Sequence, residues 1–197
     1  MILAATKWAR NGAMIVALTE LGYLRKTWRT LDPTYGRGLW WTTWKPDSLV
    51  AHDITLDGVD FQRLPHGDDT FDAVAFDPPY VSSGGRLTTG ITDMHARYGM
   101  DKAPYTPLAL QLMINGGIHE AKRVLTPRGM LIMKCQDYIS SGKLWPGTHY
   151  TIEYALTLKL EYVDRLEHIG NARAQPWNHQ VHARRNYSTV LVFRKGK

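Results

Sequence analysis

Residues 71–80 constrain the fold more than any other part of the chain. They read Phe-Asp-Ala-Val-Ala-Phe and then Asp-Pro-Pro-Tyr, and a Gly-Asp-Asp run stands just upstream. A short apolar run between turn residues is typical of a buried β-strand. Two consecutive prolines cannot continue the hydrogen bonding of a central strand. We therefore predict a strand over Phe71–Phe76 that ends at Asp77.

Similar apolar runs recur along the chain and alternate with helical patterns. Apolar residues at three-to-four spacing predict helices over residues 2–24, 107–124 and about 145–158. Short apolar runs that end at turn residues predict strands over residues 27–31, 48–52, 60–64, 71–76, 130–134, 160–169 and 188–194. This alternation predicts an α/β fold with a mostly parallel sheet and helices on both faces. The last two strands have no clear helix between them, so we predict a C-terminal antiparallel hairpin.

Composition narrows the class of protein. The 197 residues carry a formal charge of +6, which favours a polyanionic partner such as nucleic acid. Cys135 is the single cysteine, so an internal disulfide is excluded, and we see no ligand cluster for a metal. No stretch is long and apolar enough to span a membrane, and we expect a cytoplasmic protein without a membrane partner.

The residues that follow the predicted strands carry the functional signal, because ligands of parallel sheets bind beyond the carboxyl ends of the strands. The first strand leads into Asp32-Pro33-Thr34-Tyr35-Gly36-Arg37-Gly38, where glycines allow the backbone to approach a ligand closely. Asp53 follows the second strand and could accept hydrogen bonds from a ribose. Asp60 and Phe61 begin the third strand, as a carboxylate for an adenine amino group beside an aromatic ring. Asp77 follows the fourth.

This ordered set resembles the class I S-adenosylmethionine-dependent methyltransferases, and within them the amino-methyltransferases of nucleic acids. The glycine turn is similar to their Asp-Pro-x-x-Gly-x-Gly cofactor motif, and Asp77-Pro78-Pro79-Tyr80 matches their catalytic DPPY motif. The resemblance covers about residues 27–137 and implies a Rossmann-like sheet with S-adenosyl-L-methionine as cofactor. It places the cofactor on Asp32, Pro33, Thr34, Tyr35, Gly36, Gly38, Asp53, Asp60, Phe61 and Asp77.

The chemistry explains why the catalytic turn needs these residue types. The lone pair of an exocyclic amine is delocalised into the ring, so acceptors on its hydrogens are needed to aim that lone pair at a methyl carbon. We expect the side chain of Asp77 and the carbonyl of Pro78 to be these acceptors, with Pro79 stiffening the turn. Tyr80 could stack on an extruded base.

Other polar residues are candidates for contact with the substrate, although each could equally be a surface or strand-end residue. Gln136 follows the strand predicted next to the catalytic turn. Arg86 lies in the segment after that turn and could meet a phosphate. Arg184, Arg185 and Asn186 precede the last strand, and the loop there often borders the substrate site in this family.

Several substrates remain open at this point. The Asp form of the motif favours N6 of adenine over N4 of cytosine, and we expect DNA as the first candidate. The chain has no room for a separate target-recognition domain beside a single methyltransferase domain over residues 1–197. This favours an RNA base as an alternative, or recognition borrowed from a homodimer or a specificity partner. A non-catalytic nucleic-acid-binding subunit and a protein-amide methyltransferase are further alternatives.

Overall fold

A computed structural model describes residues 8, 10–80, 82, 106–169, 182–183 and 185–197. The elements in chain order are α1 (Asn11–Glu20), β1 (Arg29–Asp32), a 3-10 turn (Leu39–Trp41), β2 (Ser48–Ala51), β3 (Phe71–Phe76), α2 (Pro107–Val124), β4 (Leu125–Cys135), β5 (Tyr138–Ser140), β6 (Lys143–Trp145), α3 (Gly147–Thr157), β7 (Glu161–Ile169) and β8 (Tyr187–Arg194). None of the described helices is both long and apolar enough to cross a membrane.

Six of these strands form one sheet in the order β2-β1-β3-β4-β8-β7. The strands β2, β1, β3 and β4 run parallel, whereas β8 is antiparallel to both β4 and β7. The predicted parallel sheet with a closing antiparallel hairpin is therefore confirmed. The strand order reverses at β1, because β2 lies on one side of it and β3 on the other. In such sheets the ligand crevice forms beyond the carboxyl ends of the two strands at the reversal.

Alternate residues of β3 show how the helices cover both faces of the sheet. Ala73 and Ala75 belong to an apolar cluster with buried residues of α1 and the 3-10 turn. Val74 and Phe76 point to the opposite face and belong to the cluster with α2. Since all four side chains are buried, β3 is a central strand with no solvent-exposed face.

The first helix is shorter than predicted. Within the described residues α1 ends at Glu20, whereas the prediction extended to residue 24. Gly22 has a φ of +81°, a backbone conformation that favours glycine, and Tyr23 N donates to Leu18 O at 2.9 Å. This pairing closes the helix C-terminus and stops its continuation. The predicted start falls within residues 1–7, which lie outside the described residues.

The predicted strand over residues 60–64 is wrong. The segment forms a turn in which Asp60 Oδ1 accepts from Gln62 N at 2.8 Å and Asp60 O accepts from Arg63 N at 2.9 Å. Short acidic side chains that bind the backbone two residues further on favour turns over strands. Because residues 60–64 form no strand, Asp77 follows the third strand in chain order and not the fourth. Among the described strands, β2 forms one edge of the sheet.

The chain between β4 and α3 contains a hairpin that the sequence reasoning missed. Strands β5 and β6 pair antiparallel across Ser141 and Gly142, which have φ angles of +49° and +75°. Two residues with positive φ make the tight turn that suits the twist of a two-stranded hairpin. The helix predicted from about residue 145 therefore begins at Gly147, after the hairpin and Pro146.

Candidate active site

The carboxyl ends of β1, β2 and β3 border a cavity of about 330 Å³ at the reversal of strand order. It is lined by Asn11, Asp32, Thr34, Tyr35, Gly36, Arg37, Leu39, Trp40, Asp53, Thr55, Leu56 and Asp77. Six of these residues are ones that the family resemblance predicts as cofactor contacts: Asp32, Thr34, Tyr35, Gly36, Asp53 and Asp77. The structure thus brings residues from three separate turns to one cavity, in the place where this class of sheet binds ligands.

Asp32 is the last residue of β1 and is 4% exposed. Its Oδ1 accepts from Thr34 N at 3.0 Å and from Thr34 Oγ1 at 3.4 Å, and its Oδ2 accepts from Trp41 Nε1 at 2.7 Å. Burial, with a smaller contribution from the nearby charge of Asp77, raises the pKa of Asp32 to about 7 against the lowering effect of these hydrogen bonds. Both oxygens are engaged, so Asp32 holds the turn that follows it.

The glycine turn depends on positive φ angles and on close approach of the backbone. Gly38 has a φ of +66°, and a Cβ there would lie 2.6 Å from Tyr35 Oη. Gly36 has a φ of +51°, and its N–H donates to Asp53 Oδ2 at 3.0 Å. The positive φ favours glycine at position 38, and any side chain there would also have to displace the ring of Tyr35.

Asp53 connects the ends of β1 and β2. It is 5% exposed, and its Oδ1 accepts from the backbone N–H and the hydroxyl of Thr55. Its Oδ2 accepts from Gly36 N. Because a carboxylate oxygen has two lone pairs, Oδ2 retains the capacity to accept from a ligand in the cavity.

Asp77 follows β3 directly and is held at two points. Its N–H donates to Thr34 Oγ1 at 2.8 Å, and its Oδ2 accepts from Trp40 Nε1 at 3.0 Å. Its Oδ1 is buried and has no hydrogen-bond partner within the described part of the chain. Burial raises the pKa of Asp77, while the charge of Lys134 and the hydrogen bond from Trp40 oppose the rise.

Lys134 brings a positive charge to this edge of the sheet. It lies near the carboxyl end of β4, beside β3, and is 7% exposed. Its Nζ donates to Asn11 Oδ1 at 3.2 Å, at the start of α1. Since buried lysines usually have a partner, this bond explains how the ammonium is accommodated without direct pairing to Asp77.

The other residues of the Asp-Pro-Pro-Tyr turn are not among those that line the large cavity. Pro78 and Pro79 are buried, and the half-buried Tyr80 packs against the apolar cluster of α2. Tyr80 and Gln136 line a second, smaller cavity together with residues of α2, α3 and the β5–β6 hairpin. Gln136 therefore lies near the Asp-Pro-Pro-Tyr turn, and its contact with a substrate stays a prediction.

Some predicted site residues are not among those that line the large cavity. Asp60 is exposed and bonded to Gln62, and the ring of Phe61 packs against Phe76 with centroids 5.1 Å apart. Their roles in cofactor binding stay predictions.

The predicted substrate residues near the last strand are also placed only in part. Arg185 Nη1 donates to Ala183 O at 2.8 Å, and Asn186 is exposed. Arg86 and Arg184 lie outside the described residues. Contact of these four residues with a substrate stays a prediction.

The structure adds residues that the sequence reasoning missed. Trp40 and Trp41 donate their indole N–H groups to the two buried carboxylates, and Asn11 joins α1 to the cavity wall. The one signal in the sequence is the tryptophan-rich run 39–44 after the glycine turn. Only nine residues separate Gly38 from β2, which leaves little room for a helix there. Nothing in that run indicated which ring would reach which carboxylate.

Comparison with known proteins places the fold. No family model matches the sequence, and no curated protein sequence is significantly similar to it. Among solved structures, the N-methyltransferase NodS from Bradyrhizobium japonicum WM9 aligns with 94% of this chain and 96% of its own, with a TM-score of 0.57 and 12% identity. The [4+2]-cyclase SpnF aligns with 93% of this chain and 80% of its own, with a TM-score of 0.56 and 14% identity.

The chain has a Rossmann-like α/β fold of the kind found in these solved methyltransferases. Identities this low show the fold alone, and a cyclase among the neighbours underlines that one fold hosts several reactions. A candidate DNA modification methylase from Thermus thermophilus, solved with S-adenosyl-L-methionine, aligns with 70% of this chain at 17% identity and a TM-score of 0.47. The chain spans about half the length of that protein, 54% in this alignment.

Proposed function

We propose that this protein transfers the methyl group of S-adenosyl-L-methionine to the exocyclic amine of a nucleic-acid base, with N6 of adenine in DNA as the preferred target. The observation that carries the proposal is Asp77 Oδ1. It is a buried carboxylate oxygen without a described partner, on a residue that lines the cavity and opens an Asp-Pro-Pro-Tyr turn. Buried acceptors are usually satisfied, so an open one at a strand end favours a ligand role.

The large cavity fits the proposed cofactor in the chemistry of its walls. Asp53 Oδ2 can accept from a ribose hydroxyl, and the turn at Gly36 presents backbone rather than a side chain. Leu39 and Leu56 are 56% and 62% exposed at the cavity wall, where they offer apolar surface to a flat ligand. NodS, which shares this fold, has been solved in complex with S-adenosyl-L-homocysteine. When bound here, S-adenosyl-L-methionine would supply an electrophilic methyl group.

The catalytic turn would prepare the amine for attack. Asp77 Oδ1 and the carbonyl of Pro78 accept its two hydrogens, which draws the nitrogen lone pair out of conjugation with the ring. Holding that lone pair in line with the methyl carbon supplies much of the rate gain. The new C–N bond would form as the C–S bond of the methyl donor breaks, so that S-adenosyl-L-homocysteine leaves and the nitrogen releases one proton. Because burial raises the pKa of Asp77, its Oδ1 is well suited to take up that proton.

The charge of the chain supports a nucleic-acid substrate. The formal charge of +6 favours association with a phosphate backbone. The amine of a base within a duplex is out of reach of a buried carboxylate, so the base must be extruded. Tyr80 follows the diproline and would offer its ring to the extruded base.

Transfer of a labelled methyl group tests the proposal directly. The protein is incubated with methyl-labelled S-adenosyl-L-methionine and separate pools of unmethylated DNA, unmodified RNA and protein, and the labelled product is identified after digestion. We expect label in N6-methyl-2′-deoxyadenosine. Label in N6-methyladenosine from RNA alone would contradict DNA as the substrate. No label in any pool, with binding of S-adenosyl-L-homocysteine intact, would contradict the enzymatic role and favour a non-catalytic binding subunit.

A further inference from the structure

The 3-10 turn Leu39–Trp41 follows the glycine turn, and two of its residues, Leu39 and Trp40, line the cavity. It begins after Gly38, whose positive φ turns the backbone, and Trp41 N donates to Gly38 O at 3.0 Å. Trp40 and Trp41 are 5% and 7% exposed and pack in the apolar cluster with α1. Because both indole rings are almost fully buried in a packed cluster, their orientations are fixed, and so are the directions of their N–H groups.

Each of these indoles donates to a carboxylate of the site. Trp41 Nε1 lies 2.7 Å from Asp32 Oδ2, and Trp40 Nε1 lies 3.0 Å from Asp77 Oδ2. The two carboxylates stand at the ends of adjacent parallel strands, and consecutive tryptophans reach them both. Hydrogen bonds to ionised acceptors are stronger than those between neutral groups, so these bonds constrain the carboxylates.

The consequence for Asp77 is that one oxygen is anchored and the other is left open. Thr34 Oγ1 fixes its backbone N–H, and Trp40 fixes Oδ2. A carboxylate held at Oδ2 cannot rotate without breaking that bond, so Oδ1 keeps one direction. Preorganised acceptors of this kind cost no reorganisation during the reaction.

The charged groups around Asp77 do not take the open oxygen. Asp32 faces it from β1 and has both of its own oxygens engaged. Lys134 faces it from β4 and donates to Asn11 Oδ1. Oδ1 has no partner among the described residues, so the anchor at Trp40 decides which oxygen meets the ligand.

We propose that Trp40 is a positioning residue of the transfer reaction, whose indole N–H fixes Asp77 Oδ2 so that Oδ1 alone receives the target's amino group. This inference rests on the proposed function and deepens it. The tryptophan itself need not touch the target. It acts through Asp77, and its removal should change the turnover step more than the binding of either ligand.

Trp40→Phe tests the proposal, because it keeps an aromatic ring in the cluster and removes the N–H. The matched control is Trp44→Phe, since Trp44 is half-buried, packs against Trp41 and does not line the cavity. We expect Trp40→Phe to lower kcat about tenfold or more, with the Kd for S-adenosyl-L-homocysteine within about twofold. Loss of a donor to the ionised form should also raise the pKa of Asp77 and move the acidic limb of the kcat profile to higher pH. Trp44→Phe should leave kcat and that limb unchanged.

A measurement on the wild-type protein keeps the inference falsifiable even if Trp40→Phe unfolds. The ¹⁵N indole resonance of Trp40 should titrate together with the Asp77 carboxyl, and Asp77→Asn should abolish that titration. The positioning role would be overturned if the Trp40 indole shift did not titrate with the Asp77 carboxyl. Equal kcat values in Trp40→Phe and Trp44→Phe would also overturn it. A loss of cofactor affinity as large as the loss of kcat would also overturn it. Absence of methyl transfer by the wild-type protein would instead overturn the proposed function, a separate result.

Discussion

Asp32 and Asp77 stand at the ends of adjacent strands, and each accepts a hydrogen bond from one of two consecutive tryptophans. They differ in what the second oxygen does. Asp32 Oδ1 accepts from the backbone and hydroxyl of Thr34, whereas Asp77 Oδ1 has no partner in the described ranges. Burial raises the pKa of both carboxyls, so burial alone does not distinguish them.

This difference supports the proposal that Asp32 is a structural carboxylate and Asp77 a reactive one. A buried carboxylate with every oxygen engaged stabilises the turn that supplies its donors. A buried carboxylate with an open oxygen is costly to maintain, and such groups are kept where a ligand completes them. We therefore assign Asp32 to the shape of the cavity and Asp77 to the chemistry in it.

The largest expected effect comes from removing Asp77. Asp77→Ala deletes the open acceptor, and we expect methyl transfer to fall by at least roughly 10²–10³-fold, as for other preorganised groups that act on the reacting atoms. Because Asp77 is one of twelve residues that line the cavity, affinity for S-adenosyl-L-homocysteine should change by less than about tenfold, or about 1.4 kcal/mol. Single-turnover transfer and calorimetric titration measure the two quantities.

Asp47→Ala is the matched control for that variant. Asp47 pairs with Lys26 on the surface, with 65% of its side chain exposed, and its removal should leave both quantities unchanged. If Asp77→Ala transfers methyl groups at the wild-type rate, the assignment of the open oxygen to the chemistry is wrong.

Asp32→Ala should show the opposite profile. It leaves buried donors on Thr34 and Trp41 without an acceptor, and we expect the free energy of unfolding to fall by about 2–4 kcal/mol. Asp77→Ala leaves only the Trp40 N–H without an acceptor and keeps the backbone N–H bond of residue 77 to Thr34. Its free energy of unfolding should therefore fall by less, about 1–2 kcal/mol. Urea denaturation of the two variants measures the contrast. Equal losses would mean that the engaged and the open carboxylate contribute alike to stability.

The strands that build this site could be predicted from the sequence, because each joins an apolar run to turn residues. The prediction over 71–76 matched β3 at both ends, and the parallel sheet with its antiparallel hairpin followed from the alternation of elements. The segment 60–64 failed because the side chain of Asp60 binds its own turn, a local competition that apolar periodicity does not record.

The candidate site could be predicted down to its carboxylates but not to their orientation. Motif spacing pointed to Asp32, Asp53 and Asp77, and the structure places all three on one cavity. Their hydrogen-bond partners depend on which way the 3-10 turn presents its indoles after Gly38. That direction follows from packing against α1, a tertiary effect beyond the reach of local patterns.

A smaller effect concerns pH. The folded-state pKa of Asp32 is raised to about 7, above its unfolded value, so its stabilising effect is fully present below about pH 4 and is lost as pH rises to about 7. We expect the free energy of unfolding of the wild-type protein to fall by about 2 kcal/mol more than that of Asp32→Asn between about pH 5 and pH 7. Urea denaturation at the two pH values tests this. Parallel changes in both proteins would contradict a raised pKa at Asp32.

The smallest expected effect tests whether the charge of Asp77 changes the pKa of Asp32. The charge of Asp77 helps to raise the pKa of Asp32, although burial contributes more. Asp77→Asn removes that charge while keeping an oxygen acceptor for Trp40, so the pKa of Asp32 should fall below about 7. Carboxyl ¹³C resonances of labelled aspartate would report it, with Asp47→Asn as the control. An unchanged pKa would mean that Asp32 responds to burial alone. A lower pKa of Asp32 would mean that the two carboxylates interact electrostatically. A ligand group that neutralises Asp77 would then also change the pKa of Asp32, beside the glycine turn.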